Sequence, residues 1–113
     1  PDGLENVVSD ALVPLHDLCA TILDYANVAP LPDMDARSLQ PVLTGERDVH
    51  RKHLTSGLSN WRMVYDGRHK LVRDDEGYQL FDLDSDPQED VNLAEKCGGL
   101  VDDLSPLLPS GGR

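Results

Sequence analysis

Few side chains in this chain could do chemistry, and their spacing matches no common catalytic or metal-binding pattern. The histidines are not spaced as a metal-binding triad; they are His16, His50, His53 and His69. The acidic string has the density of a calcium loop but lacks the glycine and the terminal glutamate of an EF-hand; it consists of Asp82, Asp84, Asp86, Glu89 and Asp90. Turn capping and solvation explain these acids better, so we expect no metal site.

The two cysteines, Cys19 and Cys97, are far apart, and neither belongs to a C-x-x-C pair. Cys19 falls on the apolar face of a predicted helix, where a small core residue is a better interpretation than a nucleophile. Cys97 precedes two glycines in a predicted loop. A disulfide between the two cysteines remains open.

Length and charge limit the classes of partner. The 113 residues are enough for one domain, and the formal net charge is -11, from 21 acidic and 10 basic residues. Such a surface repels phosphate backbones, which argues against nucleic acid as a partner. No apolar run approaches the roughly 20 residues of a membrane span. The excess of Asp over Lys suits either a high-salt interior or an ordinary acidic protein.

The first element that must position these residues is an amphipathic helix, predicted within residues 12–28. Its apolar stripe follows helical spacing and consists of Leu12, Leu15, Leu18, Cys19, Ile22, Leu23 and Ala26. Asn27 can adopt the left-handed conformation that closes a helix. A Pro-rich connection over 29–50 follows, and within it Ser38 is predicted to cap a short helical turn that Gly45 ends.

From about residue 52 to 83 the pattern changes to strands. Asp66-Gly67 is a two-residue hairpin signal, and a turn centred there pairs Tyr65 with Arg68, Met63 with Lys70 and Trp61 with Val72. Residues 78–83 form a third predicted strand, and 53–58 a fourth. Both faces of this antiparallel sheet carry apolar side chains, so we expect cover on both sides. The N-terminal and C-terminal helices are one source of that cover.

Residues 86–108 are predicted to form a capped turn and a C-terminal helix. Asp86, Pro87 and Glu89 have the spacing of a capping box, and apolar residues from Leu100 to Leu108 follow at helical spacing. Residues 109–113 are predicted to be disordered. The whole chain, 1–113, is therefore predicted as one α+β subdomain: a small antiparallel sheet of three to four strands, a preceding amphipathic helix and a C-terminal helical segment.

Three stretches of the chain, in order, resemble the C-terminal part of the sulfatase family, within the alkaline-phosphatase-like superfamily. Residues 15–28 (LHDLCATILDYANV) are similar to a helix of the form DL-x-PT-(I/L)-L-x-x-A-G, with Ala20 in place of Pro and Asn27 in place of Gly. Residues 35–45 (DARSLQPVLTG) are similar to DG-x-SL-x-P-x-L-x-G. Residues 61–94 match R-x-V-x-x-G-x-x-K-L followed by L-(Y/F)-D-L-x-x-DP-x-E-x-x-N-L. The last string is the most specific.

The resemblance implies that the parent protein is a sulfuric ester hydrolase with calcium and a formylglycine made within a C/S-x-P-x-R motif. This chain contains no such motif, and no catalytic residue carries over to it. We therefore expect a C-terminal subdomain that is inactive alone and that has the N-terminal catalytic domain of the same chain as its partner. Pro1 in place of a starting Met is interpreted as a cut inside that longer chain.

The resemblance also suggests one site. His53, Ser56 and Asn60 lie just before the main strands and are candidates to rim the cleft that holds the sulfate-ester substrate; solvated loop residues are the alternative. Two other functions stay open, namely the tail of a phosphonate or phosphate ester hydrolase and a stand-alone interaction module. The isolated piece, with one face of its sheet uncovered, is expected to self-associate.

Overall fold

The computed structural model describes residues 2–110 and has the expected α+β class. Its elements are α1 (Asp17–Tyr25), α2 (Gln40–Leu43), β1 (Leu54–Leu58), β2 (Trp61–Tyr65), β3 (His69–Asp74), β4 (Gly77–Asp82), α3 (Gly98–Leu104) and a 3₁₀ turn (Ser105–Leu107). The chain divides into two compact units, the first ending at Lys52 and the second beginning at His53.

Helix α1 is shorter than the predicted span of 12–28. Pro14 lies in a turn before the helix, because its carbonyl oxygen accepts the Asp17 N–H at 3.1 Å. At the other end Asn27 has a φ of 54°, as expected. The Val28 N–H bonds to the Leu23 carbonyl oxygen at 2.9 Å, and the Asn27 N–H bonds to that of Asp24 at 3.0 Å. These two bonds form a Schellman motif, which satisfies carbonyls that the helix end leaves free.

The buried face of α1 is not the predicted apolar stripe. The helix buries Asp17, Ala20 and Thr21, whereas the stripe residues Leu15, Leu18, Cys19 and Ile22 are exposed. The interpretation of Cys19 as a core residue is therefore wrong. Polar contacts decide the orientation, since Thr21 Oγ1 accepts the Leu39 N–H at 2.8 Å and donates to the Asp17 carbonyl oxygen at 2.7 Å.

Helix α2 is the predicted short helical turn. The Gln40 N–H donates to Ser38 Oγ at 3.2 Å, and Ser38 Oγ donates to Asp24 Oδ2 at 2.6 Å. Ser38 therefore satisfies the first backbone N–H of α2, although Leu39 holds the N-cap position itself. Gly45 follows α2 with a φ of +78°, a conformation that glycine adopts without steric cost.

The second unit contains an antiparallel sheet in the order β1-β2-β3-β4. The predicted hairpin register is wrong by two residues: Met63 pairs with Val72 and Tyr65 with Lys70. Because the shift is even, each side chain keeps its predicted face of the sheet.

The side chain of Asp66 sets this register. Asp66 Oδ1 accepts the Arg68 N–H at 2.9 Å and the His69 N–H at 2.7 Å, and the Asp66 N–H bonds to the His69 carbonyl oxygen at 3.2 Å. The two central turn residues are therefore Gly67 and Arg68, not Asp66 and Gly67. An aspartate that binds backbone N–H groups two and three residues ahead favours the first position of a turn, so the turn moves forward.

One face of the sheet forms the core of the second unit. Val64, Leu71 and Leu80 are fully buried there, in register on three neighbouring strands. Val101 and Leu104 of α3 pack against them, so the predicted C-terminal helix covers this face. Asn92 and Leu93 continue the pairing at the β4 edge: Asn92 Oδ1 accepts the Leu80 N–H at 3.0 Å, and the Leu93 N–H bonds to the Leu80 carbonyl oxygen at 2.7 Å.

The turn at Asp86 is capped, but not as a capping box. Its carboxylate accepts the Asp90 and Val91 N–H groups at 3.1 and 2.9 Å, and no helix follows. Glu89 has a φ of 59°, and its carboxylate binds Lys70 Nζ at 2.5 Å instead of the Asp86 N–H. Glu89 therefore pairs with the Lys70 ammonium group and does not reach back to the Asp86 N–H, as a capping box requires.

The chain ends in α3 and the 3₁₀ turn that contains Pro106. Of the predicted disordered tail, 109–113, residues 111–113 lie outside the described part of the chain. No helix within residues 2–110 is both long enough and apolar enough to span a bilayer.

Candidate functional site

The most densely bonded side chain of the first unit is Asp17, which is fully buried. Asp17 Oδ1 accepts the Arg37 N–H at 2.9 Å and Arg51 Nη2 at 2.6 Å. Asp17 Oδ2 accepts Arg51 Nε at 2.7 Å and lies 2.6 Å from His50 Nε2. Arg51 Nη2 also donates to the Asp35 carbonyl oxygen at 3.0 Å. The carboxylate thus joins α1 to two later segments of the same unit.

These contacts hold Asp17 in its charged form. Burial by itself raises the pKa of Asp17, but the hydrogen bonds from Arg51, the Arg37 N–H and His50 outweigh it, so the pKa lies well below its usual range. The same carboxylate raises the pKa of Arg51. A carboxylate has about four lone-pair sites, and all four are occupied here. Asp17 is therefore an anchor for the fold, with no free site for a proton or a cation.

The three residues expected at a substrate rim are spread along one edge of the second unit. Ser56 lies on β1, an edge strand, opposite Met63 of β2. His53 precedes β1, so about 10 Å of extended strand separates it from Ser56. Asn60 lies in the exposed β1-β2 turn, where its amide nitrogen donates to the Asp75 carboxylate. The structure brings none of these three side chains into hydrogen-bonding contact with another.

A shallow cleft of about 260 Å³ lies beside β1, smaller than the roughly 300–1,000 Å³ of most small-molecule pockets. Ser56 lines it, whereas His53 and Asn60 do not. The other hydroxyl groups of its lining belong to Thr55, Ser59 and Ser110. By itself this cleft is an open wall of mixed polar and apolar side chains and not an enclosed pocket.

Arg62 supplies the charge in this wall and is already engaged. Its Nη1 donates to the carbonyl oxygens of Ser59 and Trp61, both at 2.7 Å, and its side chain is buried. Gly57 lies directly over it: a Cβ there would come within 2.7 Å of Arg62 Cδ and 2.9 Å of the Trp61 carbonyl oxygen. Glycine is required at this position because any side chain would collide with Arg62 and with the Trp61 carbonyl oxygen.

A further ion pair, between Arg68 and Asp82, lies at the end of β4. Arg68 Nη2 binds Asp82 Oδ2 at 2.8 Å, and the N–H groups of Asp84 and Ser85 bond to Asp82 Oδ1 at 3.2 and 3.4 Å. Chiefly through the Arg68 hydrogen bond, this environment lowers the pKa of Asp82 to about 2. Asp82, the first residue of the acidic string, therefore caps a turn, in agreement with the capping interpretation of these acids.

The described residues do not fit the calcium and formylglycine that the resemblance implies. Within 2–110, no three His, Cys, Asp or Glu side chains converge as metal ligands. Cys19 and Cys97 are both free thiols, and neither lies in a C/S-x-P-x-R motif. No step of sulfate ester cleavage is assigned to side chains of this chain.

The sequence did not point to the Asp17 cluster, although Asp17 opens the DL pair of the first resemblance motif. Its partners Arg37, His50 and Arg51 lie 20 to 34 residues away. No local pattern marks contacts at such separations. The one available signal was an acidic residue at the start of an apolar helix.

Comparison by sequence finds one distant relative. No family model matches the chain. An uncharacterized protein of Haemophilus influenzae is 29% identical over 94 residues, which are 77% of this chain and 48% of that protein. The chain thus spans about half the length of the curated relative that it matches.

Comparison by structure finds sulfatases. A 2-O GAG sulfatase superposes with a TM-score of 0.76 and 27% identity, over 95% of this chain and 27% of its own. A putative sulfatase from Bacteroides thetaiotaomicron VPI-5482 gives a TM-score of 0.67 and 28% identity, over 80% of this chain and 22% of its own. A third structure, solved with its substrate D-glucosamine-2-N,6-O-disulfate, gives 0.70 at 23% identity and shares the fold.

The fold therefore defines a sulfatase-like C-terminal subdomain, an α+β unit built on a four-stranded antiparallel sheet. The resemblance of this chain to the sulfatases, first visible in its motifs, is confirmed by the structures. The chain spans only about a quarter of the sulfatase chains that it matches.

Proposed function

We propose that this chain is the C-terminal part of a sulfuric ester hydrolase, in which it completes the fold and forms one wall of the substrate cleft. The observation that carries the proposal is the match to a 2-O GAG sulfatase over 95% of the chain with a TM-score of 0.76. The motif over residues 80–94 supports it independently. Its Asp82, Asp86 and Asn92 each bond backbone N–H groups, which gives those motif positions a physical role.

In this proposal the chain is not catalytic by itself. The nucleophile and the calcium ligands belong to the rest of the parent protein, and the substrate is a sulfate ester. The chain would contribute the edge formed by β1 and its flanking residues, with His53, Ser56 and Asn60 at the rim. An exposed edge strand beside a shallow cleft is suited to that use, because a second domain can close the open side.

The proposal is tested by comparing the parent enzyme with the 113-residue chain. We expect a C/S-x-P-x-R motif in the coding sequence upstream, turnover of an aryl sulfate by the parent, and none by the 113-residue chain with or without calcium. Turnover by the short chain would contradict the assignment. Turnover of phosphate or phosphonate esters in place of sulfate esters would identify the related hydrolase class.

The rim is tested in the same parent enzyme. Ser56→Ala and Asn60→Ala should raise KM for the natural sulfate ester about threefold to tenfold with little change in kcat, because these residues would contact remote parts of the substrate. Asp102→Ala, at an exposed position of α3, is the matched control and should change neither parameter. Unchanged KM in both rim variants would remove these residues from the site.

A non-catalytic interaction module is the second candidate, favoured by one observation. The matched region makes up 48% of the Haemophilus influenzae relative but only 27% of the 2-O GAG sulfatase, so that relative is a much shorter protein. An upstream coding sequence without the formylglycine motif and without hydrolase activity would favour this candidate.

A further inference from the structure

The outer face of α1 is apolar, although it is exposed. Leu15, in the turn that leads into the helix, is 82% exposed, and Leu18 and Ile22 are 45% and 68% exposed. Cys19 lies between them on the same face and is exposed too. We call these four residues the outer stripe. Their helical spacing of three and four residues aligns them in one row.

The first unit cannot bury this stripe in its own core, because its inner face is held by polar groups. Asp17 and Thr21 occupy that face, and their hydrogen bonds to Arg37, Leu39 and Arg51 fix the rotation of the helix. Turning the stripe inward would break this set of bonds and leave a buried charge unpaired.

The two units differ sharply in apolar burial. Among the described residues the first unit buries only two hydrophobic side chains, Ala20 and Leu39, whereas the second buries seven around its sheet. Soluble monomers rarely expose contiguous apolar patches beyond a few hundred Å². The second unit therefore has a hydrophobic core of its own. The first unit has almost none and exposes an apolar helix face, as expected of a layer that packs against another part of a protein.

We propose that the outer stripe is the surface on which the remainder of the sulfatase chain packs. This inference rests on the proposed function and adds the surface through which the chain joins its catalytic domain. In the 2-O GAG sulfatase the region similar to this chain is 27% of the polypeptide, so nearly three quarters of that chain is available as cover. A second copy of this chain is the weaker occupant, because its net charge of -11 repels a like surface at low salt.

Cys19 provides the test without any substitution. The reaction of each thiol with N-ethylmaleimide is followed by peptide mass spectrometry in the 113-residue chain and in the parent enzyme. We expect Cys19 to react at least tenfold more slowly in the parent, because the packed domain covers it. The half-buried Cys97, in the second unit, is the internal reference and should react at similar rates in both.

A substitution tests the stripe by its effect on assembly. The upstream part of the parent and this chain, co-expressed as two polypeptides, should co-purify. Leu18→Asp should reduce the recovered complex at least tenfold. The control Val91→Asp introduces the same charge at a side chain of similar exposure, 51% against 45%, and should leave recovery unchanged. Equal recovery of both variants would overturn the inference.

The outcomes separate this inference from the proposed function. Sulfatase activity in a parent whose Cys19 stays as reactive as in the short chain overturns the docking surface and leaves the function standing. A protected Cys19 in a parent without sulfatase activity overturns the function and leaves the docking surface. If Cys19 is protected in the 113-residue chain by itself, and this protection increases with the concentration of that chain, a second copy covers the stripe and the proposal is overturned.

Discussion

Replacing Asp17 with asparagine should selectively destabilise the first unit. The substitution keeps the size of the side chain but removes the charge that Arg51 and His50 face at 2.6 to 2.7 Å. The Arg51 guanidinium, whose side chain is 16% exposed, would then lose the carboxylate with which it forms its ion pair. The Arg37 N–H would bond to a neutral acceptor in place of a carboxylate.

The expected magnitude follows from the burial of the pair. Removing one partner of a buried ion pair costs roughly 3–5 kcal/mol. Arg51 keeps its bond to the Asp35 carbonyl oxygen and some solvent contact, which places the cost at the lower end, about 3 kcal/mol. A change of that size increases the equilibrium constant for opening of the first unit on the order of 100-fold.

Hydrogen exchange is the appropriate assay, because it resolves the two units. The amides of Arg37 and Leu39 bond to side-chain oxygens of α1 and report the opening of the first unit. Both should exchange about 100-fold faster in the variant, while the Leu71 amide, in the core sheet, should keep its rate. Asp24→Asn on the same helix is the control, since that carboxylate is exposed and bonds only to Ser38 among the described contacts.

Two results would refute this reasoning. An Arg37 amide that exchanges within threefold of the wild-type rate would mean that the carboxylate does not anchor the unit. An equal effect of Asp24→Asn would mean that any acid on α1 contributes as much, so that burial is irrelevant.

The same carboxylate makes the first unit sensitive to acid. The pKa of Asp17 is lower in the folded state than the usual value of about 3.9, so the unfolded state binds protons first as the pH falls. The contribution of Asp17 is therefore complete above about pH 5 and is lost progressively below about pH 4. The difference in exchange rate between wild type and Asp17→Asn should therefore shrink steadily as the pH falls from about 5 to about 2.

Two further substitutions test the second unit, with urea unfolding followed by Trp61 fluorescence. Asn92→Ala should lower the free energy of unfolding by about 1–3 kcal/mol, because it leaves the Leu80 N–H without its acceptor; an unchanged midpoint would mean that water replaces the amide. Gly57→Ala should cost a similar 1–3 kcal/mol, because its Cβ would meet the Trp61 carbonyl oxygen at 2.9 Å. Gly99→Ala is the matched control: its Cβ meets nothing within 4 Å, so it should stabilise α3 by up to about 1 kcal/mol, and equal losses in both alanine variants would exclude the clash.

Local patterns were sufficient for the elements of the second unit. Alternation and turn residues predicted four strands near 53–83, and the periodicity after residue 98 predicted α3. These features depend on contacts between near neighbours in sequence, since every strand pairs with the next one along the chain. The hairpin register was missed by two residues, because the Asp66 side chain, and not the Asp-Gly pair, sets the turn.

Tertiary structure decided which face of α1 is buried. The sequence alone showed a helix with an apolar stripe, and the ordinary rule places such a stripe in the core. The observed orientation depends on Arg37, His50 and Arg51, which reach Asp17 from 20 to 34 residues away and leave no periodic signal. Four hydrogen bonds to a buried carboxylate oppose the rotation that would bury the stripe, since that rotation would leave the charge unpaired.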